Sequence, residues 1–309
     1  VIKCEICGRE FKSEGGLHKH LRSHSVTMAE YYTKFYPRKN LLTEQPLPFK
    51  NKEDYFSRDF NNYPQLIEWC ETESRQVVAE YIIKKLKNRI ESRELSFAPS
   101  HVELRNSKLP PVDVYRNIFG SYSEACQRVG VPPLFTKSIN KNFFTKNDLP
   151  EDLSIFVDTR EQQPLSFNTS ESMKLDFGDY TTGGDYYSYT YVDRKSEGDF
   201  KTTLSKGNLE RFREELKRAR DFDSYLFIAV ESDIEKIQKN NNFKPHKVNI
   251  KYIFHNMRVL QHEFSDNCQF IFTGNRDNSE NIIPKLLFYG KKLWKVDLQY
   301  YIDKYGIDG

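Results

Sequence analysis

The sequence predicts an α/β core in its second half, preceded by an all-α region and, at the amino end, a small metal-binding unit. Three observations lead there. From about residue 153, short apolar runs alternate with amphipathic stretches of helical period. Residues 52–133 carry helical periodicity almost throughout. Residues 4–24 hold two cysteines and two histidines at ligand spacing.

In chain order, residues 1–25 read as the compact metal unit. "VTMAEYYTKFYP" follows as a short amphipathic helix stopped by Pro37, and "LLTEQPLPFKN" reads as a linker that closes the segment 26–51. The helical region 52–133 is clearest in "SRQVVAEYIIKKLKNRI", where Val77, Val78, Tyr81, Ile82 and Leu86 form a stripe expected to face a core. "PPLFTKSINKNFFTKNDLPED" is polar with prolines at both ends, so residues 134–152 are expected to be a second linker. In the remainder, 153–309, "LSIFVDTRE" and "YYSYTYVDRK" read as strands, "GNLERFREELKRARD" as a helix and "SYLFIAVES" as a buried strand. "IKYIFHNMRVLQHEF" reads as a helix, "CQFIFTG" as a strand and "ENIIPKLLFYGKKLW" as a helix. Such alternation indicates a sheet covered by helices on both faces.

Composition narrows the class. Of 309 residues, 38% are hydrophobic, ample for packed cores, and no apolar run reaches the roughly 18 residues of a membrane span. With no signal-like block at the start, a soluble, intracellular, cytoplasmic protein is expected. Five cysteines, three of them isolated, argue for a reducing compartment over a disulfide framework. Residues 1–150 carry six more cations than anions, and residues 151–309 three more anions than cations. A basic first half suits a polyanion, and an acidic second half suits a site that collects cations.

"CEICGREFKSEGGLHKHLRSH" has the spacing C-x2-C-x12-H-x3-H. Thiolates of Cys4 and Cys7 on a hairpin, with imidazoles of His20 and His24 one helical turn apart, can meet at one tetrahedral Zn²⁺. With Phe11 and Leu17 as its minimal core, the unit resembles the C2H2 zinc finger, a ββα module. The family's base-reading positions would fall on Ser13, Gly16 and Lys19. A glycine cannot read a base edge, so the unit is expected to grip phosphates, with Lys19 and Arg22 available, or to brace its neighbour.

In "PPVDVYRNIFGSYSEACQRVG" a proline starts one helix, a glycine stops it, a serine caps the next and a second glycine ends that. The pattern on Pro111, Tyr115, Phe119, Gly120, Ser121, Tyr122, Ala125 and Gly130 resembles the DNA-binding repeat that accompanies homing endonucleases, over about residues 96–133. Its helix-turn-helix layout implies DNA contact, with Arg116 and Arg128 as candidates beside Arg105, Lys108, Lys137, Lys141 and Lys146; the alternative is a helical spacer with a solvated basic face.

"YVDRKSEGDF" packs charge behind a strand. Alternate side chains share a face, so Asp193 and Lys195 point one way and Arg194 the other. Asp179 in "LDFGDY" precedes the tyrosine-rich strand, and a hairpin would set it beside Asp193. Two carboxylates can hold a hydrated Mg²⁺ or Mn²⁺ that neutralises a phosphodiester transition state, while Lys195 orients water and offsets charge.

These residues are similar, in order, to the nuclease domain of the XPF family of structure-specific DNA endonucleases, whose signature is G-D-x(n)-E-R-K-x3-D. Gly178, Asp179, Arg194, Lys195 and Asp199 match it; Asp158, Arg160 and Glu161 fall on its opening acid-x-Arg-Glu element, and Arg211 and Phe212 on its R-F-x-E-Q helix, with Glu215 in place of glutamine. The resemblance, over about residues 153–290, implies a restriction-endonuclease-like core, DNA as partner, a metal-dependent endonuclease of phage or mobile-element type, and a catalytic set of Asp158, Asp179, Asp193 and Lys195. Arg160, Glu161, Arg194 and Asp199 would support that set, and Arg211 would contact DNA. It leaves open a homodimer through the nuclease domain. Asp193 stands where glutamate is usual, and "LQYYIDKYGIDG" does not read as the family's tandem helix-hairpin-helix, so junction recognition is not carried over. Simpler roles compete: Asp158 with Arg160 as an ion pair, Asp199 as a helix cap, Arg211 as a surface residue. His101, His246, His255 and His262 lack partner spacing and read as core or surface residues. The competing function is a DNA-binding architectural protein with an inactive core.

Overall fold

A computed structural model describes residues 2–306 except 38, 41, 43–44, 47–48, 50–62, 146–147 and 240–248. His246, Lys146 and much of the segment expected to link the first two regions lie outside the described residues. The chain forms two compact units, Val1–Glu73 and Ser74–Gly309.

In the first unit, β1 (Ile2–Lys3) and β2 (Glu10–Phe11) pair antiparallel, and α1 (Glu14–His20) follows, capped by Ser13 Oγ, which accepts from the Gly16 amide. The helix expected near residue 30 is α2 (Met28–Phe35), started by a Thr27–Glu30 capping box. Its Tyr31 and Tyr32 are buried with Cys4, Leu17 and Leu21, so the core of this unit extends past residue 25. Tyr31 Oη accepts from the Glu5 amide at 2.9 Å, which ties α2 to the hairpin. Helix α3 (Tyr63–Thr72) completes the described part.

The second unit opens with α4 (Arg75–Arg93), which buries Val78, Ile82, Leu86 and Ile90. Val77, expected on that stripe, is 45% exposed, because a spacing of four places its neighbours inward and turns it out. Then come α5 (His101–Ser107), α6 (Val112–Phe119) and α7 (Tyr122–Arg128), the last capped by Ser121 after Gly120 at φ +87°.

Six strands form one sheet in the order β4-β3-β5-β6-β7-β8, comprising β3 (Ile155–Asp158), β4 (Ser170–Met173), β5 (Tyr180–Thr182), β6 (Thr190–Lys195), β7 (Tyr225–Val230) and β8 (Cys268–Phe272). Pairing is mixed: β5 runs antiparallel to β3 and β6, while β6, β7 and β8 are parallel. All six residues of β7 are buried, as suits a central parallel strand. The polar edge strand β4, SESM, has no apolar alternation, which is why the sequence did not suggest it.

Helices α8 (Glu197–Thr203), α9 (Leu209–Asp221) and α11 (Ile250–Glu263) supply Phe200, Phe212, Leu216 and Phe254 to one core, which holds Tyr191 of β6. Helices α12 (Arg276–Tyr289) and α13 (Leu298–Tyr305) supply Ile282, Leu286 and Tyr301 to the other, which holds Val192. The short α10 (Ile234–Lys239) lies between β7 and α11 in sequence.

The stretch expected to be a linker at 134–152 is packed into the second unit at Leu134 and Phe144. Phe144 is 4% exposed and stacks edge-on to Tyr301 at 5.3 Å, and the Lys141 carbonyl accepts from Tyr301 Oη at 2.6 Å. Its polar composition concealed two adjacent phenylalanines that fill the sheet's second core. The helical block is likewise part of this unit. Asp297 accepts from the His101 amide at 2.9 Å, Arg105 bridges Asp303 and Glu235, and Arg116 donates to Tyr300 Oη at 2.8 Å. The division between compact units falls at Glu73 and Ser74, inside the region 52–133 expected to be one helical domain: α3 lies in the first unit and α4–α7 in the second.

Candidate active site and Cys/His cluster

The site grows from the β5–β6 hairpin. Tyr180 pairs with Val192, so Asp179, just ahead of β5, lies across from Asp193. The Asp179 amide donates to the Val192 carbonyl at 2.8 Å, and Asp179 Oδ2 accepts from the Arg194 amide at 2.7 Å. Gly178 makes this approach feasible: its φ is +57°, and a Cβ there would meet the Val192 carbonyl oxygen at 2.8 Å.

On β6, Asp193 and Lys195 share the face turned to α9. Lys195 Nζ donates to Asp193 Oδ1 at 2.6 Å and lies 5.6 Å from the centroid of the Phe212 ring. Asp193 is 3% exposed, and its Oδ2 is buried without a hydrogen-bond partner. Such an orphaned acceptor is expensive unless something cationic meets it.

Electrostatics follow from this crowding. Burial and then the Asp193 charge push the Asp179 carboxyl up to about 8, against the opposing pull of Lys195. Burial alone would lower Lys195, but the adjoining Asp193 outweighs it and holds the ammonium above the ordinary lysine value. Glu215 on α9 is raised by burial and by Asp193, and its Oε1 accepts from the Gly178 amide at 3.3 Å.

Glu215 is a third acid beside Asp179 and Asp193; the sequence analysis gives it only as standing in place of glutamine. A signal existed: it follows Phe212 by three positions and precedes Leu216, both buried, so it lies on the inward face of an amphipathic helix.

Asp158, placed in the catalytic set by resemblance, is occupied otherwise. Its Oδ1 accepts from the Arg160 amide and Nε, both at 2.7 Å; its Oδ2 accepts from Arg160 Nη2 at 2.9 Å and from the Leu175 amide at 2.7 Å. Burial opposes its charge, yet these donors hold it below the usual carboxylate value. Arg194 occupies the opposite face of β6, between Glu161 at 3.2 Å and Glu231 at 3.1 Å. Asp199 accepts from Ser196 Oγ at 2.6 Å and receives a cap from it, a helix-start arrangement on α8. Arg211 is exposed on α9, with no ion pair among the described residues. Arg128 is exposed, its guanidinium 4.9 Å from the Phe119 ring centroid. His101 and His262 are held by acids, His101 by Asp303 at 2.9 Å and His262 by Glu103 at 3.3 Å, while His255 contacts Arg258.

In the first unit the four ligand atoms of Cys4, Cys7, His20 and His24 lie within 4.8 Å of one another, with Cys7 Sγ 3.3 Å from His20 Nε2 and Cys4 Sγ 3.7 Å from His24 Nε2. Two sulfurs and two imidazole nitrogens so gathered fit a tetrahedral cation of zinc type. Among the described residues no other group of three or more His, Cys, Asp or Glu ligand atoms draws together this closely, the sheet acids included. Lys19 and Arg22 are exposed on this unit.

No family model matches this chain, and no curated protein does. Among solved structures it is similar to XPF from Aeropyrum pernix, at 19% identity and a TM-score of 0.35 over 45% of this chain and 67% of that one. It is also similar to XPF from Aeropyrum pernix in complex with DNA, at 19% identity and a TM-score of 0.34 over 44% and 63%. No described helix is long and apolar enough to cross a membrane.

Proposed function

We propose that the chain is a divalent-metal-dependent DNA endonuclease that hydrolyses phosphodiester bonds at Asp179, Asp193 and Lys195. One observation carries the reading: a buried Asp193 whose Oδ1 is clamped by Lys195 while Oδ2 has no partner, set across paired strands from a second carboxylate that burial and then Asp193 push up to about 8. Burying that much charge without use is costly. Magnesium or manganese held by Asp179 and Asp193 would supply charge neutralisation and a water that deprotonates near neutral pH. Lys195, kept cationic by Asp193, faces the charge that gathers on a phosphate. Asp158 and Arg160, locked together, brace the turn after β3, and Arg194 with Glu161 and Glu231 braces the far face of β6.

Cys4, Cys7, His20 and His24 would hold one structural Zn²⁺. The exposed Lys19, Arg22, Arg128 and Arg211 are suited to DNA phosphates, while Arg116, bonded to Tyr300, serves first to seat α6 on α13. The reducing compartment implied by isolated cysteines sets the activity inside a cell, bacterial or phage-infected.

The test is supercoiled plasmid with Mg²⁺. Wild type should nick or linearise it, Asp179→Asn should not, and Lys195→Ala should lose on the order of 100-fold in rate. Plasmid retarded on a gel but uncut by wild type would replace the enzyme with a DNA-binding protein. Cleavage of RNA alone would change the substrate class.

A further inference from the structure

We infer that Glu215 is a third carboxylate of this metal site, acting on the water shell of a divalent cation; the inference rests on the nuclease reading above. Its place on α9 turns it toward the sheet between Phe212 and Leu216, where Asp193 and Lys195 are the charged groups that act on it most strongly. The hydrogen bond from Gly178 N–H ties it to the backbone immediately ahead of Asp179. One tight turn therefore delivers the first acid and anchors the third.

Once the three acids ionise, a cation is needed to balance them. Asp179, Asp193 and Glu215 together oppose one ammonium, Lys195. Arg160 also lies within electrostatic reach, but its guanidinium is engaged by Asp158, which cancels it. With all three acids ionised this set holds two more negative charges than Lys195 offsets, which one divalent ion would remove; Arg218 also acts on Glu215 but is exposed to solvent. Asp193 Oδ2 is independently available to a cation, since it is buried without a hydrogen-bond partner in a side chain almost wholly enclosed.

The carboxylate oxygens of the sheet do not gather into a tight three-ligand set. Magnesium usually takes one or two carboxylates and keeps several waters. The third acid is therefore assigned to accept hydrogen bonds from bound water, as outer-shell groups do.

The experiment titrates the zinc-loaded full chain with Mn²⁺ and reads free Mn²⁺ by electron paramagnetic resonance, for wild type, Asp179→Asn, Glu215→Gln and Glu215→Asp. Glutamine retains an acceptor for Gly178 and the side-chain size. Asp179→Asn should abolish the site, and Glu215→Gln should weaken it on the order of 10-fold. Glu215→Asp, which keeps the charge, should stay closer to wild type; thermal unfolding without Mn²⁺ checks that each variant folds. If Glu215→Gln binds like wild type, or if the Gln and Asp variants weaken alike, Glu215 has no charge role and only this inference fails. If wild type shows no Asp179-dependent Mn²⁺ binding, the nuclease reading fails with it.

Discussion

At Asp179, burial and the neighbouring Asp193 both favour the protonated acid, up to about pH 8. A carboxyl raised in the folded state stabilises the fold fully below the ordinary carboxylate value, and that contribution drains away as pH climbs through about 8. In the absence of divalent ions, wild type should therefore lose thermal midpoint relative to Asp179→Asn between about pH 4 and 8. Added Mg²⁺ should raise the midpoint more at pH 8 than at pH 6, because less proton displacement opposes binding. Calorimetry at both pH values checks this; equal shifts would remove Asp179 from the site. Asp158 has the opposite sign, held low by Arg160, so its contribution is lost on acidification. That Asp179 lies across from Asp193 was legible because strand alternation and the Gly178–Asp179 step ahead of a strand are local patterns. Glu215 was half legible, inward by helical phase but without a partner until the sheet was assembled.

At the scale of elements, the β5–β6 hairpin depends on one turn residue. Gly178→Ala should destabilise the chain by about 1–2 kcal/mol from its left-handed backbone alone. The methyl's approach to the Val192 carbonyl should add to that and displace Asp179. Urea unfolding measures the first effect and plasmid cleavage the second; a variant as stable and active as wild type would show that the turn relaxes freely. The stretch at 134–152 was misread because prolines and lysines outweigh two phenylalanines in composition, although Phe144 packs against both Tyr289 and Tyr301. Edge strand β4 was invisible for the same kind of reason: its partner β3 defines it, and its own residues do not.

Across the molecule, the two compact units rest on different principles. The second has a six-stranded sheet with an apolar core on each face, whereas the first has a small core gathered around four ligand side chains. Removing the zinc proposed for the first should unfold it and leave the second intact, since a structural zinc site carries much of the folding free energy of so small a unit. Hydrogen exchange with and without a chelator tests this. Protection should vanish at residues 2–35 and persist in β7 and β8; unchanged protection at the amino end would mean that the core with Tyr31 and Tyr32 suffices. Helices α4–α7 belong with the sheet through the His101 amide, Arg105 and Arg116, the two arginines being side chains that in sequence offered themselves equally well to a polyanion.

The amino-acid sequence by itself determined the ligand spacing of the Cys/His unit, the shared face of Asp193 and Lys195, and the alternation that makes an α/β core. Each is a property of one element, set by a helical turn or a strand's two-residue repeat. Only the tertiary structure decided that Asp158 is spent on Arg160, that Arg116 seats a helix, that Leu134 and Phe144 are core, and that Glu215 meets the backbone before Asp179. Those outcomes depend on which distant surfaces come together, and no local period encodes the partner.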